Sequence, residues 1–255
     1  MMPAPALCPY PEPPARTGVV YAFPRAAPEP SITGGLPMLA SGLVELLEGI
    51  NAPRRRLRRK QVLFHAGQPC ESLFLVHAGV FKTCMLSADG LEKVTGFHLR
   101  GDLLGGDSWG AAIHACGAVA LDTSEVWELS ISRLQARGAA AVSQVTTILA
   151  GEIRRDWRWM MLLSNLDAEQ RVAVFLLDLA ARLEGLGFSP RHLLLRMTRA
   201  ELGNFLALQL ETVTRVLTRL AGRGLIHVDG REIRIDDAAG LHTLATHPAA
   251  CVSGH

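Results

Sequence analysis

Residues 197–220 of the chain read MTRAELGNFLALQLETVTRVLTRL, the pattern of two short helices around a turn. Thr198 is a good N-cap and Glu201 follows at capping-box spacing, so we predict a first helix from about Thr198 to Leu206. Apolar residues recur at helical spacing on both sides of the turn. They are Leu202, Phe205 and Leu206, then Leu210, Val213, Val216, Leu217 and Leu220. Both stripes are buried if the helices pack together, so the stretch predicts a helix-turn-helix in which Gly203 permits close approach.

The polar side chains left on the outer face of the second helix match the chemistry of base recognition. Arg215 can donate two hydrogen bonds to guanine, Glu211 can accept from the cytosine amino group, and the Thr214 methyl group can contact thymine. The three lie at helical spacing on one face. We therefore predict DNA contacts for seven residues: Thr198, Arg199, Glu211, Thr212, Thr214, Arg215 and Arg219.

The charge of this region agrees with DNA binding. Residues 190–223 hold six Arg against Glu201 and Glu211, a net charge of +4. Binding to a phosphate backbone needs such an excess of positive charge. An ordinary helical hairpin with a solvated polar face has the same two-helix pattern, so the pattern by itself leaves both interpretations open.

The residues after the second helix favour the DNA-binding interpretation. Gly222 and Gly224 end the helix. The stretch LIHVDGREIRI at 225–235 then alternates apolar and polar residues around Asp229-Gly230, a strong signal for a two-residue β-hairpin. A helix-turn-helix followed by a β-hairpin is a winged helix.

This winged helix resembles the DNA-binding domain of the cyclic AMP receptor and FNR superfamily of bacterial regulators. The run ETVTR at 211–215 is similar to the E-x-x-S-R pattern of the FNR branch, with Thr214 in place of the usual Ser. Ala207 and Gln209 stand where the family usually has Gly and Thr. Alanine costs more than glycine if φ is positive there, and glutamine is a poorer N-cap than threonine.

The preceding part of the chain predicts a β-roll. Short β-rich runs such as VLF, LFLV and VTGF are separated by glycines 67, 79, 90 and 101, at intervals of 11 to 12 residues. Turns at this spacing are typical of a sandwich or jelly roll. The run GFHLRGDLLG at 96–105 is similar to the effector domain of FNR-type members. We predict a cyclic-nucleotide-binding-like roll domain over 37–138, which begins with a helix from about Leu36 to Leu47. Its apolar face would be Leu39, Leu43, Leu46 and Leu47.

A long helical pattern from about Ala139 to Leu163 connects the two parts. Residues along one face have the 4, 3, 4, 3 spacing of the seam in a two-stranded coiled coil. The seam residues are Leu149, Ile153, Asp156, Met160 and Leu163. We predict a dimerisation helix over 139–165, which would place two recognition helices on successive major grooves of a palindrome. Asp156 would face its copy across the two-fold axis, which disfavours association unless the partner's arginines neutralise the charges. The candidates are Arg154, Arg155 and Arg158.

Composition sets the outer limits. The 255 residues, 49% of them hydrophobic with a net charge of +2, suffice for one large or two small domains. No apolar run approaches the ~18 residues of a membrane span, and the N-terminus lacks the pattern of a signal peptide, so we expect a cytoplasmic protein without a membrane partner. Ten of the fourteen prolines lie in residues 1–37. We therefore predict a disordered tail over 1–36 and a flexible tail over 248–255.

The basic run RRRLRRK at 54–60 has two interpretations. It suits nucleic-acid binding, and it also suits the solvated edge of a sheet, where charged side chains prevent pairing with another strand. We favour the edge strand.

The chain lacks the residues that bind two ligands of the superfamily, cyclic AMP and a 4Fe–4S cluster. The cyclic-nucleotide pattern places an Arg after the Gly-Asp turn, but no Arg or Lys occurs between Arg100 and Arg133, so cyclic AMP is disfavoured. A 4Fe–4S cluster needs four thiolates, which FNR-type members supply from three closely spaced N-terminal cysteines and a fourth in the roll. Here Cys8 stands alone in the tail and Trp127 occupies the position of the fourth ligand. The cluster is therefore disfavoured as well.

The other cysteines and histidines show no metal-binding spacing. They are Cys70, Cys84, Cys116 and Cys251, and His65, His77, His98 and His114 in the roll. We predict structural thiols, histidines at turns or on the surface, no metal site and no cofactor. Haem binding and a redox-active thiol among the five cysteines stay open.

These features together predict an α+β protein with a β-roll over 37–138, a dimerisation helix over 139–165 and a winged helix-turn-helix over 166–247. The resemblance implies a dimeric transcription regulator that contacts RNA polymerase and reads a palindrome such as TTGAT-N4-ATCAA. It implies an activator of genes for anaerobic, microaerobic or nitrogen-oxide-linked metabolism. We favour a cluster-free regulator that acts constitutively or is controlled by its own abundance, with gating by haem, nitrogen oxide or a redox thiol as the alternative.

The competing class of protein is a cupin-like enzyme built on the roll. Such enzymes use a pair of histidines and a following Glu, and the roll lacks that pattern whereas the helix-turn-helix pattern is intact. We therefore expect no enzymatic activity.

Overall fold

The computed structural model describes residue 47, residues 51–87 and residues 89–246. The two predicted tails, Cys8 and Cys251 lie outside the described residues, as does the predicted helix over 36–47 apart from Leu47, which is helical and buried. The described chain runs from a unit made of strands, through long helices, to a smaller mixed unit.

Eight strands form the predicted β-roll. They are β1 (Arg54–Leu57), β2 (Val62–Phe64), β3 (Ser72–Ala78), β4 (Phe81–Leu86), β5 (Glu92–His98), β6 (Leu103–Leu104), β7 (Gly117–Ala120) and β8 (Ser124–Ser130). One sheet has the order β1-β8-β3-β6 and the other β2-β7-β4-β5, and every pairing is antiparallel. β5 is therefore an edge strand of the second sheet.

The roll has an apolar core to which both sheets contribute. Phe64 of β2 stacks on Phe74 of β3 with ring centroids 5.5 Å apart, and Phe81 and Val126 are fully buried in the same cluster. The four glycines that separate the predicted strands all have φ between 80° and 91°. Glycine adopts this conformation without the steric cost that other residues incur, so these positions reverse the chain where the sequence predicted turns.

Three helices follow the roll: α1 (Ile131–Ala136), α2 (Ala139–Asn165) and α3 (Ala168–Gly185). Val145 of α2 is buried against the roll, whereas Trp159 belongs to the core of the C-terminal unit. A capping box begins α3, because Asp167 accepts a hydrogen bond from the Gln170 amide at 2.9 Å and Gln170 accepts from the Asp167 amide at 3.1 Å. None of the helices in the described ranges is long and apolar enough to span a membrane.

The C-terminal unit is the predicted winged helix. Its elements are β9 (His192–Leu194), α4 (Arg199–Leu206), α5 (Leu210–Gly222), β10 (Ile226–Asp229), β11 (Glu232–Ile235) and α6 (Ala238–Thr246). The wing is an antiparallel sheet of order β10-β11-β9. Its turn lies one residue later than predicted, because Asp229 pairs with Glu232 and leaves Gly230 and Arg231 between them. Gly230 alone of these two has positive φ, at 57°, which is the pattern of a type II′ turn.

The turn between α4 and α5 has the features that its sequence indicated. Ala207 adopts the left-handed conformation, with φ 55° and ψ 44°, and Gln209 caps α5 without a side-chain hydrogen bond. The two helices nevertheless approach closely. A Cβ atom on Gly203 would lie 2.7 Å from the carbonyl oxygen of Leu208 and 3.3 Å from a methyl group of Val213.

The C-terminal unit shares its core with the roll and with α2. Four rings form what we call the aromatic cluster: Phe97 of β5, Trp159 of α2, Phe175 of α3 and Phe205 of α4. Their centroids are 4.9 to 6.2 Å apart, mostly in edge-to-face geometry, which aromatic pairs favour. The winged helix is therefore packed onto the rest of the chain.

The prediction for the roll histidines was wrong at two positions. His114 is buried and stacks on Phe64 with centroids 3.9 Å apart. His98 is mostly buried at the end of β5. Spacing rules detect metal sites formed within one strand or helix, and they contain no information about rings that pack against distant elements.

Replacing Gly203 with Ala should destabilise the protein, because the added methyl group would meet the carbonyl oxygen of Leu208. Overpacking of this kind costs about 1–3 kcal/mol. Gly222→Ala is the matched control, since its Cβ position is open. In urea-induced unfolding, Gly203→Ala should lower the free energy of unfolding and Gly222→Ala should leave it equal or higher. An undiminished value for Gly203→Ala would contradict the close packing.

Candidate nucleic-acid interface

Helix α5 presents an exposed polar face opposite its buried one. Glu211 and Arg215 are both exposed, one turn apart. Thr214 is half-buried, and its hydroxyl donates to the carbonyl oxygen of Leu210 at 3.1 Å. Thr212 is also half-buried. The three residues predicted to contact bases therefore share one surface of the protein.

Helix α4 begins with the predicted capping box. The Glu201 amide donates to the Thr198 hydroxyl at 3.1 Å, and the Thr198 amide donates to the Glu201 carboxylate at 2.7 Å. Lys82 of the roll lies 3.1 Å from the same carboxylate. Burial raises the pKa of Glu201, but the hydrogen bonds from Thr198 and Lys82 together lower it further, so the net shift is downward. The Thr198 hydroxyl is thus engaged in the cap, and Arg199 is half-buried beside it.

Arg219 is exposed, but its guanidinium is engaged by an acid of α3. It forms an ion pair with Glu169, whose other carboxylate oxygen lies 3.3 Å from Arg223. Part of the positive charge of residues 190–223 is therefore offset by a residue outside that stretch. No local sequence pattern could signal this pair, because Glu169 and Arg219 are 50 residues apart.

The basic run at the start of the roll forms the exposed edge strand β1, which pairs with β8. Arg54 and Arg56 form ion pairs with Glu125 at 3.2 and 2.9 Å. The Arg54 guanidinium also lies 4.1 Å from the centre of the Trp127 ring, a cation–π contact. These contacts agree with the predicted solvated edge.

Helix α2 carries an exposed apolar stripe that covers only part of the predicted seam. Ile153, Trp157, Met160 and Met161 lie at helical spacing and are between 49% and 64% exposed. Asp156 is exposed within the stripe. The heptad template missed Trp157 and Met161 because it selects two positions in seven, whereas a straight helix buries a broader face.

The remaining members of the predicted seam are engaged within their own chain. Leu149 packs partly against the roll and Leu163 partly against the core of the C-terminal unit. Arg155 was a candidate for neutralising the partner's Asp156, but the structure shows it engaged within its own chain. Its guanidinium lies 3.0 Å from the carboxylate of Asp102 in the same chain.

A cavity of about 510 Å³ lies between the roll and the helices α2 and α3. Its wall includes Arg155 of α2 and Arg182 of α3. The sequence prediction concerned only the segment between Arg100 and Arg133 of the roll, so it did not include these two residues. Both engage Asp102: Arg155 contacts one carboxylate oxygen at 3.0 Å and Arg182 contacts the other. Neither of these two guanidinium groups is therefore free to bind a phosphate.

The electrostatics of this wall follow from burial and from Asp102. Burial by itself would raise the pKa of Asp102, but Arg182 and Arg155 lower it to about 2. Burial lowers the pKa of His98, which lies 4.0 Å from Asp102, to about 3. Burial and then the charge of Asp102 raise the pKa of Glu152 to about 8. At neutral pH, His98 is therefore neutral and Glu152 mostly protonated.

The described residues do not fit a 4Fe–4S cluster. Cys70 and Cys116 are buried, Cys84 is half-buried, and burial is the main cause that raises the pKa of each thiol. Over the described part of the chain, no group of three or more His, Cys, Asp or Glu side chains could hold a metal ion. Trp127, which the sequence resemblance predicts at the position of the fourth ligand, packs against Arg54 and has no thiolate.

The fold and this surface define a class of protein. A winged helix-turn-helix with an exposed polar second helix, joined through a long helix to a β-roll, is the architecture of a DNA-binding transcription regulator with an effector domain. Residues 170–244 match the Crp-like helix-turn-helix domain, and residues 54–137 match the cyclic nucleotide-binding domain. The chain belongs to the Crp/FNR family, in its FNR-type branch.

Two relatives illustrate the similarity. Over 207 residues the chain is 36% identical to the fumarate and nitrate reduction regulatory protein of Escherichia coli (strain K12), covering 80% of this chain and 83% of that protein. Over 205 residues it is 37% identical to the transcriptional activator protein FnrA of Stutzerimonas stutzeri, covering 79% and 84%. The relatives are transcription regulators, which confirms that the chain is not an enzyme.

Solved structures share the fold. FixK2 from Bradyrhizobium japonicum superimposes with a TM-score of 0.69 at 29% identity, covering 76% of this chain and 96% of that chain. A CRP-family transcriptional regulator from Thermus thermophilus gives a TM-score of 0.64 at 23% identity, covering 76% and 97%. The predicted α+β architecture of β-roll, long helix and winged helix-turn-helix is confirmed.

Proposed function

We propose that this FNR-like regulator acts as a homodimeric activator and binds a palindrome of the type TTGAT-N4-ATCAA. The observation that carries the proposal is the exposed face of α5, where Glu211 and Arg215 stand one turn apart with Thr214 between them. The E-x-x-S-R pattern of the FNR branch matches these positions, with Thr214 as the one departure. Contact with RNA polymerase belongs to the same proposal, since activators recruit or stimulate the polymerase.

Base recognition is assigned residue by residue from the family resemblance. Arg215 contacts guanine, Glu211 accepts from the paired cytosine, and Thr214 contacts the neighbouring thymine. The remaining predicted positions, Thr212, Arg219, Thr198 and Arg199, are assigned to the edges of the interface. Because Arg219 shares its charge with Glu169, we assign to it a smaller contribution than to Arg215.

Dimerisation through α2 is supported by the exposed stripe of Ile153, Trp157, Met160 and Met161. An apolar stripe of this kind on a long helix is stabilised by burial against another copy. Asp156 lies within it, so two carboxylates approach each other at the two-fold axis. Repulsion between them keeps the dimer close to its dissociation threshold.

The proposed target genes serve anaerobic, microaerobic or nitrogen-oxide-linked metabolism. Support comes from the names of the relatives, one of which is a fumarate and nitrate reduction regulatory protein. We propose that the protein acts constitutively or is controlled by its own abundance, because the described residues offer neither a thiolate set for a cluster nor a free arginine at the cavity. Gating by haem, nitrogen oxide or a redox thiol is the second candidate, and the buried His98 beside the cavity is the observation that favours it.

Truncating Arg215 should reveal its role in recognition. We expect Arg215→Ala to weaken binding to the palindrome by about 1–3 kcal/mol and to relax specificity at one base pair. Arg215→Lys is the matched control, since it keeps the charge and loses the planar pair of donors. Lysine should restore part of the affinity without the specificity. Titration of labelled duplexes carrying each base at that position measures both, and wild-type affinity and selectivity in Arg215→Ala would refute the assignment.

Removing the carboxylate of Asp156 should strengthen self-association. Sedimentation equilibrium of Asp156→Ala should give a lower dimer dissociation constant than wild type. Glu184→Ala, which removes an exposed acid from α3, serves as the control and should leave the constant unchanged. An unchanged or weaker dimer in Asp156→Ala would contradict the proposed repulsion.

The cofactor proposal is tested on protein purified without oxygen. We expect an absorption spectrum without cluster or haem bands and an iron content far below one atom per chain. A stoichiometric iron–sulfur chromophore would refute the argument from Trp127 and the cysteines, and a Soret band would favour the haem alternative.

A further inference from the structure

The carboxylate of Asp102 connects the three parts of the chain. Asp102 lies between β5 and β6 of the roll, and its Oδ2 accepts a hydrogen bond from the Leu99 amide at 2.8 Å. Arg155 of α2 donates to Oδ1 at 3.0 Å, and Arg182 of α3 contacts Oδ2. Arg182 also donates to the carbonyl oxygen of Phe97 at 3.0 Å. One acid of the roll is therefore bound at once by the dimerisation helix α2 and by α3, which together with β9 to α6 forms the DNA-binding unit.

A second contact joins the helix-turn-helix to the open edge of the roll. The Asn204 side chain of α4 donates to the carbonyl oxygen of Glu92 at 2.8 Å and accepts from the amide of Val94 at 2.7 Å. Asn204 thus bonds to β5 as a neighbouring strand would. Lys93 contacts the carbonyl oxygen of Asn204 from the same strand. A main-chain edge offers donors and acceptors at fixed spacing, so this contact specifies both position and direction.

Both contacts are directional, and the ion cluster is shielded from water. The side chains of Asp102, Arg155 and Arg182 are each at most 20% exposed. Removing one member of a shielded ion cluster leaves the others uncompensated, so the cluster persists as a unit. The adjoining aromatic cluster adds buried area, but contacts between rings specify orientation less strictly than hydrogen bonds do. The angle of the DNA-binding unit is therefore set by polar groups.

The orientation that results leaves the recognition surface open. Arg182 and Asn204 bind the roll from α3 and α4, whereas Glu211 and Arg215 of α5 are exposed. The contacts with the roll thus hold the unit by helices other than the one that faces DNA.

We propose that the Asp102 cluster and the Asn204 contact form an interdomain brace that presets the DNA-binding unit in the orientation required by a palindrome. The inference rests on the proposed function, since a palindrome must be bound by two units at a fixed separation. In a braced protein, folding already fixes the orientation of the DNA-binding unit. Binding to DNA then loses less conformational entropy. Without the brace, each unit must lose its freedom when the second half-site is engaged.

The test uses the full chain with Asp102→Asn and, separately, Asn204→Ala. Asp122→Asn is the matched control, because it breaks an ion pair that also joins the roll to the C-terminal unit, with Arg196 at 2.7 Å, but that is more exposed than the brace. Affinity is measured for the palindrome, for a duplex with one half-site, and for a palindrome with a five-base-pair spacer. Amide hydrogen exchange at Val94 reports separately whether the brace has opened.

We expect each brace variant to bind the palindrome roughly tenfold more weakly, with unchanged affinity for the half-site. The longer spacer should penalise the brace variants less than wild type, because a loosened unit tolerates altered separation. Exchange at Val94 should accelerate in Asn204→Ala, and Asp122→Asn should behave as wild type.

Three results would overturn the brace. They are palindrome affinity in both variants equal to or above that of wild type, an equal loss of affinity for the half-site, which means that the contacts do not act through the relative position of two units, or unchanged exchange at Val94 in Asn204→Ala. Failure of the wild type to bind any palindrome of this type would instead refute the proposed function, and the exchange data would still decide whether the brace exists.

Discussion

The arrangement of this protein depends on one buried carboxylate. Asp102 is taken out of water at the junction of the roll, α2 and α3, and that placement is tolerable only because Arg155, Arg182 and a backbone amide all donate to it. Each donor comes from a different part of the chain. Moving the roll, α2 or α3 away from the others would leave Asp102 or an arginine without its partner. The ion cluster therefore fixes the relative positions of these parts more tightly than apolar contacts alone would. The position of α5 relative to the roll follows from this constraint.

The same cluster decides what the cavity offers to a ligand. A superfamily effector domain can hold a phosphate where a cation is free, but here the arginines that line the cavity bond to Asp102. Buried His98 is neutral and Glu152 is mostly protonated at neutral pH. The cavity wall has thus become part of the contact between domains. This agrees with a regulator whose proposed control lies outside cyclic nucleotides and iron–sulfur chemistry.

Prediction succeeded where the deciding interactions are local. The capping box of Thr198 and Glu201, the close approach at Gly203 and the positive φ of Ala207 all involve residues a few positions apart, so the order of residue types carries them. Prediction was weaker for α2. The heptad rule placed Leu149 and Leu163 in a dimer seam, yet both pack partly within their own chain, while Trp157 is exposed. Hydrophobic periodicity identifies an apolar face, but it does not show whether the same chain or a second copy covers that face.

The sequence by itself determined the α+β architecture, the helix-turn-helix, the wing and the candidate residues for base recognition, because periodicity, caps and turn residues act over a single element. The sequence also led us to predict that the four-cysteine ligand set of an iron–sulfur cluster is missing from this chain. Only the tertiary structure decided that Arg219 is paired with Glu169, that His114 is buried, and that Asp102 binds two arginines. In the ion pairs of Arg219, Arg155 and Arg182, the arginine and its acid are 50 to 80 residues apart in the sequence. Charges so far apart in sequence meet only once the units have packed, and no local pattern records which of them will.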